Sequence, residues 1–144
     1  MVDEIYHHAL KLLRRRDHTT RQLQVKLEAK YGKVPDDVLS QLSAKRYLDD
    51  RRYADNFVAK HPEAHPDRVR MELQEAGIDG KTIDLVIDAF EWPSLRAVLK
   101  AKMIIWRLSP PLQRRDAARL FRILSRLGYP EDDIREELEQ LNEQ

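Results

Sequence analysis

The chain has 144 residues, enough for one domain or for a string of small repeats. It has no cysteine, which excludes a disulfide framework, a thiolate metal site and a cysteine nucleophile. No apolar run approaches the ~20 residues of a membrane span, so a soluble chain with no membrane contact is expected, and the lack of cysteine fits a cytoplasmic one. Hydrophobic residues make up 42% and charged residues 35%, with only 4 glycines, a balance that suits surface-rich helices better than sheets.

The first element is expected over residues 3–16. Its acids come first and Ile5, Ala9, Leu12 and Leu13 lie on one face, an amphipathic helix rather than a signal peptide. Thr19 with Gln22 makes a capping box for a helix at 20–30. Pro35, followed by Asp36 and Asp37, opens the next helix. Residues 50–60 place Tyr53, Ala54, Phe57 and Val58 together, and Pro66 and Asp67 open a helix over 67–76. Asp79 is an N-cap, and Ser94 caps a helix at 94–108 with Leu95, Val98, Leu99, Lys102, Ile105 and Trp106 along one side. A helix near 112–128 follows, then one opened by Pro130 and Glu131-Asp132-Asp133.

These elements repeat. The segments RQLQVKLEAKYGKVPDDVLSQL, DRVRMELQEAGIDGKTIDLVI and AARLFRILSRLGYPEDDIREEL align on Gly32, Gly77 and Gly128. Leu27, Leu73 and Leu124 precede the glycine, as do Leu23, Val69 and Leu120; Val38, Ile83 and Ile134 follow it, as do Leu42, Ile87 and Leu138. Each copy reads as helix, glycine turn, helix, with the glycine where a helix end calls for positive φ. A further helix precedes each pair. The fold class expected is therefore all-α, an elongated array of three tandem three-helix repeats at 1–48, 49–92 and 93–144, because a lone unit of ~45 residues is marginal without neighbours.

Charge is distributed unevenly along this frame. Residues 11–33 carry eight basic and two acidic side chains, a balance of +6, and residues 92–126 carry nine and one, a balance of +8. Residues 61–91 come to −5 and residues 130–144 to −6, so the net +1 conceals two basic blocks with acidic neighbours. That pattern points to a polyanionic partner, or to one carrying both signs of charge; the plainer reading is solvated helix faces paired within the molecule.

Chemistry is sparse. The stretch RYLDDRRYADNFV sets Asp49-Asp50 against Arg51-Arg52, but helix initiation accounts for both acids. Asp49 is an N-cap, Leu48 and Tyr53 occupy the two positions of a hydrophobic staple, and Asp50 sits in the first turn, leaving Arg51 and Arg52 to point outward. No phosphate-binding glycine loop or nucleophile elbow occurs. His61 and His65 are broken up by Pro62 and Pro66 and read as a polar linker rather than a zinc site; Trp92 and Trp106 read as packing rather than as base-stacking platforms. No enzyme, cofactor or metal is expected. What remains is binding: Arg115, Arg119, Arg122 and Arg126 recur at spacings of three and four on one helix, and Arg14, Arg15 and Arg16 with Arg21 form a second cluster.

Taken in order, these motifs resemble the RecX family, regulators of the bacterial RecA recombinase. That family's pattern runs LL..R..S...L..KL, then GYLDD.RFA, then I..EL..KGI, then L..RGF..D.I. Leu12, Leu13, Arg16, Thr19, Leu23, Lys26 and Leu27 match the first; Tyr47, Leu48, Asp49, Asp50, Arg52, Tyr53 and Ala54 the second. Val69, Glu72, Leu73, Gly77 and Ile78 match the third, and Leu124, Arg126, Gly128, Tyr129, Asp132 and Ile134 the last. Two departures fall in the middle repeat, where KHPEAHPDRV replaces a basic, glycine-containing stretch and Ala76 stands where the pattern has a basic residue. The resemblance implies that the elongated array is curved, and that it is a non-enzymatic regulator that lodges against the RecA–single-stranded DNA filament and limits its growth, ATP hydrolysis and strand exchange. Its partners would be the RecA filament and single-stranded DNA, met directly or through RecA, and the protein would act as a monomer. The contact residues expected are Arg14, Arg15, Arg16, Arg21, Lys26 and Lys30, with Arg96, Lys100, Arg107, Arg115, Arg119, Arg122 and Arg126. The competing reading is a stand-alone DNA-binding protein built of tandem helix-turn-helix-like units.

Overall fold

The computed structural model describes residues 2–143, and among them the chain is helical with no strand. The helices are α1 (Val2–Arg15), α2 (Thr20–Tyr31), α3 (Asp36–Ala44), α4 (Asp50–Lys60), α5 (Pro66–Glu75), α6 (Gly80–Ala89), α7 (Leu95–Trp106), α8 (Arg114–Arg126) and α9 (Glu131–Glu143). Two compact units divide them: residues 1–60 with 70–90, and residues 61–69 with 91–144. The boundary falls within α5.

In the first unit α1 packs on α2 and α3, and α4 packs on α6. Ile5, Ala9, Leu23, Leu27, Val34, Val38, Leu42 and Leu48 form one buried cluster, with Leu12 and Leu13 half-buried against it. The four-residue spacing of Leu23 and Leu27, and of Val38 and Leu42, puts each pair on a single helix face, as periodicity predicts. In the second unit α7, α8 and α9 pack on one another around Val98, Leu99, Met103, Leu120, Leu124, Tyr129, Ile134 and Leu141.

The start signals act as their chemistry requires. Thr19 accepts from the Gln22 backbone N–H at 3.1 Å while the Gln22 side-chain oxygen accepts from the Thr19 N–H at 3.0 Å, a complete capping box. Asp49 accepts from the Arg52 N–H at 3.0 Å, Asp79 from Thr82 at 2.8 Å and Ser94 from Ala97 at 3.1 Å. Gly32, Gly77 and Gly128 all hold positive φ, at 76°, 89° and 100°.

Two expectations need correction. Ile105 is 66% exposed; the buried side of α7 is Val98, Leu99 and Met103, because Met103 lies four residues beyond Leu99 whereas Ile105 lies around the helix from it. Arg52 does not point outward either. Its guanidinium donates to the Arg46 carbonyl at 2.9 Å and to the Tyr47 carbonyl at 3.3 Å, and pairs with Asp17 at 3.1 Å. It thus holds the α3–α4 corner against the end of α1.

Asp50 has a role beyond its own helix. One carboxylate oxygen accepts from the Thr20 backbone N–H at 2.8 Å and from the Thr20 hydroxyl at 3.0 Å, so a residue of α4 satisfies an orphan donor in the first turn of α2. Asp49 and Asp50 therefore cap two different helices.

The glycine turns are also packing sites. A Cβ on Gly77 would lie 2.5 Å from Cβ of Arg21 and within 3 Å of its Cγ, and a Cβ on Gly128 would lie 2.7 Å from Cβ of Arg68. Only a bare Cα admits these stems. Beside each glycine runs an equivalent hydrogen bond: the Thr19 hydroxyl donates to the Ala76 carbonyl at 2.6 Å, and the His65 N–H donates to the Leu127 carbonyl at 2.8 Å.

Gly77→Ala and Gly128→Ala should each lower stability by about 1–3 kcal/mol, because both the left-handed backbone and the facing stem oppose a methyl group. Urea unfolding midpoints measure this. Asp50→Ala should cost about 1–2 kcal/mol through the lost cap on α2; equal stability to wild type would show that water replaces the carboxylate at no loss.

Candidate anion-binding surface

All thirteen basic residues singled out from the sequence are exposed, but they do not form two uniform patches. In the first unit they divide three ways. Arg15 and Lys30, with Lys11, lie close enough to His8 to depress its basicity, while Lys26 and Arg16 do the same to His18. The facing sides of α1 and α2 thus gather Lys11, Arg15, Lys26 and Lys30, of which sequence reasoning missed Lys11. Arg14 and Arg16 instead line a shallow hollow with Asp17, Arg46, Tyr47 and Arg52. Arg21 lays its stem over Gly77.

His18 anchors the first group. It is 1% exposed; its Nδ1 lies 3.0 Å from the Arg16 carbonyl and its Nε2 3.1 Å from Nζ of Lys26. The carbonyl demands a donor and the ammonium an acceptor, so the ring is neutral with the proton on Nδ1. Burial is the main cause of its lowered pKa, and the neighbouring cations add to it. The pKa of His8 is lowered too, first by desolvation and then by Lys30, Lys11 and Arg15. His8 Nδ1 is buried without a hydrogen-bond partner, and the ring meets Tyr31 edge-on at 5.6 Å.

In the second unit the sequence-predicted cations fall into two sets. Arg115, Arg119, Arg122 and Arg126 form a single row along α8, because their spacings return to nearly the same angle at 100° per residue. Among the described residues no carboxylate lies within ion-pair distance of this row. Arg119 is stacked on the indole of Trp106, its guanidinium carbon 3.8 Å from the ring centroid, which fixes the middle of the row against α7. Trp106, half-buried, is thus a packing residue with an arginine on its face.

Arg96 and Lys100 lie instead on the α9 side of α7. Arg96 pairs with Glu137 at 2.9 Å and also donates to Gln140, and Lys100 lines the hollow beside them. Arg107 ends α7 in the left-handed conformation, at φ 56° and ψ 45°. Lys102, which sequence periodicity placed among core residues, is bound to Glu63 at 2.7 Å. Internal pairing therefore consumes some of the basic block at α7 and leaves the α8 row open. No sequence signal identifies the Trp106–Arg119 contact, which depends on how α7 and α8 cross.

His65 accepts from the Asp67 N–H at 3.0 Å, at the start of α5, and meets Tyr129 edge-on at 5.3 Å. Among the described residues there is no group of three or more histidine, aspartate or glutamate side chains that could hold a metal ion, and no helix long and apolar enough to cross a membrane.

The two perturbed histidines make stability depend on pH. Their folded pKa values lie below the ordinary value of 6.5, so the unfolded chain takes up protons first as pH falls. The melting temperature should hold above pH ~6.5 and decline below it, and His18→Gln should flatten the decline. A profile that rises on acidification would contradict the neutral, buried ring.

No family model matches the chain. Individual relatives do. A regulatory protein RecX of Halorhodospira halophila is 34% identical over 132 residues, covering 88% of this chain and 81% of the relative. A regulatory protein RecX of Thermus thermophilus is 30% identical over 132 residues, covering 90% and 87%. The crystal structure of RecX from Lactobacillus salivarius superposes with a TM-score of 0.66 over 99% of this chain and 97% of that one, at 17% identity, a likeness of fold. With 34% and 30% identity over 88% and 90% of its length, the chain belongs to the RecX family of regulatory proteins.

Proposed function

We propose that the protein is a non-enzymatic regulator that binds the RecA–single-stranded DNA filament and limits its growth, and with it ATP hydrolysis and strand exchange. It would thereby modulate recombination, DNA repair and the SOS response. The observation that carries this reading within the family is the α8 row, Arg115, Arg119, Arg122 and Arg126, exposed and, among the described residues, without an ion pair. A planar guanidinium takes two oxygens of a phosphate or carboxylate at once, and four on one helix present that geometry repeatedly. In this reading Arg14, Arg15, Arg16, Arg21, Lys26 and Lys30 add a second contact, as do Arg96, Lys100 and Arg107.

Regulation of this kind needs no chemistry. A ligand shifts an assembly equilibrium by its difference in affinity for the two states, so a protein that binds the filament in a form less able to grow suppresses the turnover that depends on growth. The working units are three-helix repeats at 1–48, 49–92 and 93–144. The protein acts as a monomer, in the cytoplasm where the filament assembles, and meets single-stranded DNA directly or through RecA.

The test is steady-state ATP hydrolysis by RecA on single-stranded DNA with the protein added below stoichiometry. The wild type should inhibit, and a folded Arg119→Glu/Arg122→Glu variant should need about tenfold more protein, the scale of losing ~1.4 kcal/mol of charge-assisted contact. Circular dichroism checks its fold. No effect on RecA, with steeply salt-dependent binding to bare duplex, would instead establish a stand-alone DNA reader.

A further inference from the structure

Helix α7 is apolar on two faces, and the second unit buries only one of them. Val98, Leu99 and Met103 point into the core. Ala97, Ala101, Ile104 and Ile105 lie on another side at spacings of four, three and one, and all four are exposed. Ile104 is 77% and Ile105 66% exposed, more than any other large apolar side chain of the described residues. Scattered apolar residues on a surface need no explanation, but a helical stripe of them, small at one end and branched at the other, is the surface an apposed helix or extended segment covers. Toward the end of α7 the stripe runs into a shallow groove lined by Met103, Ile104, Leu108, Pro110 and Leu141.

Charge selects the occupant. Helix α7 contains no acid; its charged residues are Arg96, Lys100 and Lys102, and Arg107 follows at its end. At 100° per residue Arg96 and Lys100 fall along one edge of the stripe, and Arg107 stands at its C-terminal end. Arg96 is engaged by Glu137 and Lys102 by Glu63, which leaves Lys100 and Arg107 as the cations bordering the isoleucines. A second copy fits poorly, because an antiparallel two-fold pairing of α7 would set this cationic edge against itself. Nucleic acid gains little from isoleucine. The matching surface is a protein segment with apolar side chains and a flanking row of carboxylates.

We infer that the α7 stripe of Ala97, Ala101, Ile104 and Ile105, bordered by Lys100 and Arg107, is a docking face for an acidic, apolar segment of the partner protein. The inference rests on the proposed RecA reading, in which that partner is RecA itself. It divides the labour within the second unit: α8 supplies charge, and α7 supplies the apolar protein contact.

The experiment compares wild type, Ile104→Ser/Ile105→Ser and Lys100→Glu in the RecA ATPase assay at low and moderate salt, alongside binding of each to single-stranded DNA without RecA. Both isoleucines are exposed, so the serine variant should melt with the wild type; Lys100→Glu gives a second variant that leaves the apolar side chains in place. The serine variant should need about tenfold more protein for half-inhibition at either salt concentration, with DNA binding unchanged, since an apolar contact is not screened. Lys100→Glu should lose about threefold, chiefly at low salt. Equal potency of the serine variant and the wild type would overturn the docking face while leaving the RecA reading intact. Absence of inhibition by the wild type would overturn both. A concentration-dependent dimer that the serine variant abolishes would assign the stripe to a second copy and overturn the inference as well.

Discussion

The helical layout depends on one recurring constraint: the start of one helix must donate a hydrogen bond into the carbonyl just before another turn's glycine. Thr19 does this through its hydroxyl to Ala76, in the first unit, and His65 through its backbone N–H to Leu127, in the second. Thr19 and His65 are 46 positions apart, and Ala76 and Leu127 are 51 apart, the same offsets that align the repeats in sequence. The bond can form only if the following residue turns away in a left-handed conformation and exposes a bare Cα to the arginine stem beside it. Glycine satisfies both demands, which is why Gly77 and Gly128 are fixed by packing as much as by dihedral angle.

Around those joints the polar groups are used economically. At the α3–α4 corner Asp49 caps α4, Asp50 caps α2, and Arg52 gathers two carbonyls and Asp17. The Asp17 carboxylate raises the pKa of Arg52 still further, mainly through their hydrogen bond, so the guanidinium stays charged under all ordinary conditions. A half-exposed pair such as this contributes modestly as an ion pair; its larger effect is to satisfy carbonyls at the end of α3 that otherwise lack donors. In the second unit Glu63 and Glu137 neutralise Lys102 and Arg96, while the α8 arginines are left to solvent. The fold thus separates cations that hold the helices together from cations that can meet another molecule.

Much of the fold was legible in the sequence because its signals are local. Helix starts at Thr19, Asp49, Asp79 and Ser94, glycine ends, and apolar residues four apart each involve a few neighbouring positions, and the structure places them as expected. Sequence and structure part where two elements meet. Periodicity puts Ile105 on one side with Val98 and Leu99, but α7 has two apolar faces and periodicity cannot say which one a neighbour covers. Local sequence leaves Arg52 facing outward, whereas its partners, Arg46, Tyr47 and Asp17, are brought to it by the turn after α3 and the end of α1. The α8 row was readable from spacing alone, but its stacking on Trp106 and its freedom from acids were not.

Two helix ends show how placement of charge competes with backbone comfort. Arg46 and Arg107 both adopt positive φ, at 62° and 56°, where a side chain costs ~1–2 kcal/mol relative to the right-handed region. The family pattern opens its second motif with glycine where this chain has Arg46. Here the strain has a visible counterweight, since Arg52 holds the Arg46 carbonyl in position. Among the described residues none clasps the Arg107 carbonyl in this way. Its backbone N–H reaches the Met103 and Ile104 carbonyls, and its cationic side chain stands at the C-terminal end of α7, where the helix dipole is negative and a cation gains ~0.3–1 kcal/mol. That gain offsets only part of the strain. The residual cost is a reason to look for what the charge does outside the helix, at the border between the exposed isoleucines and solvent.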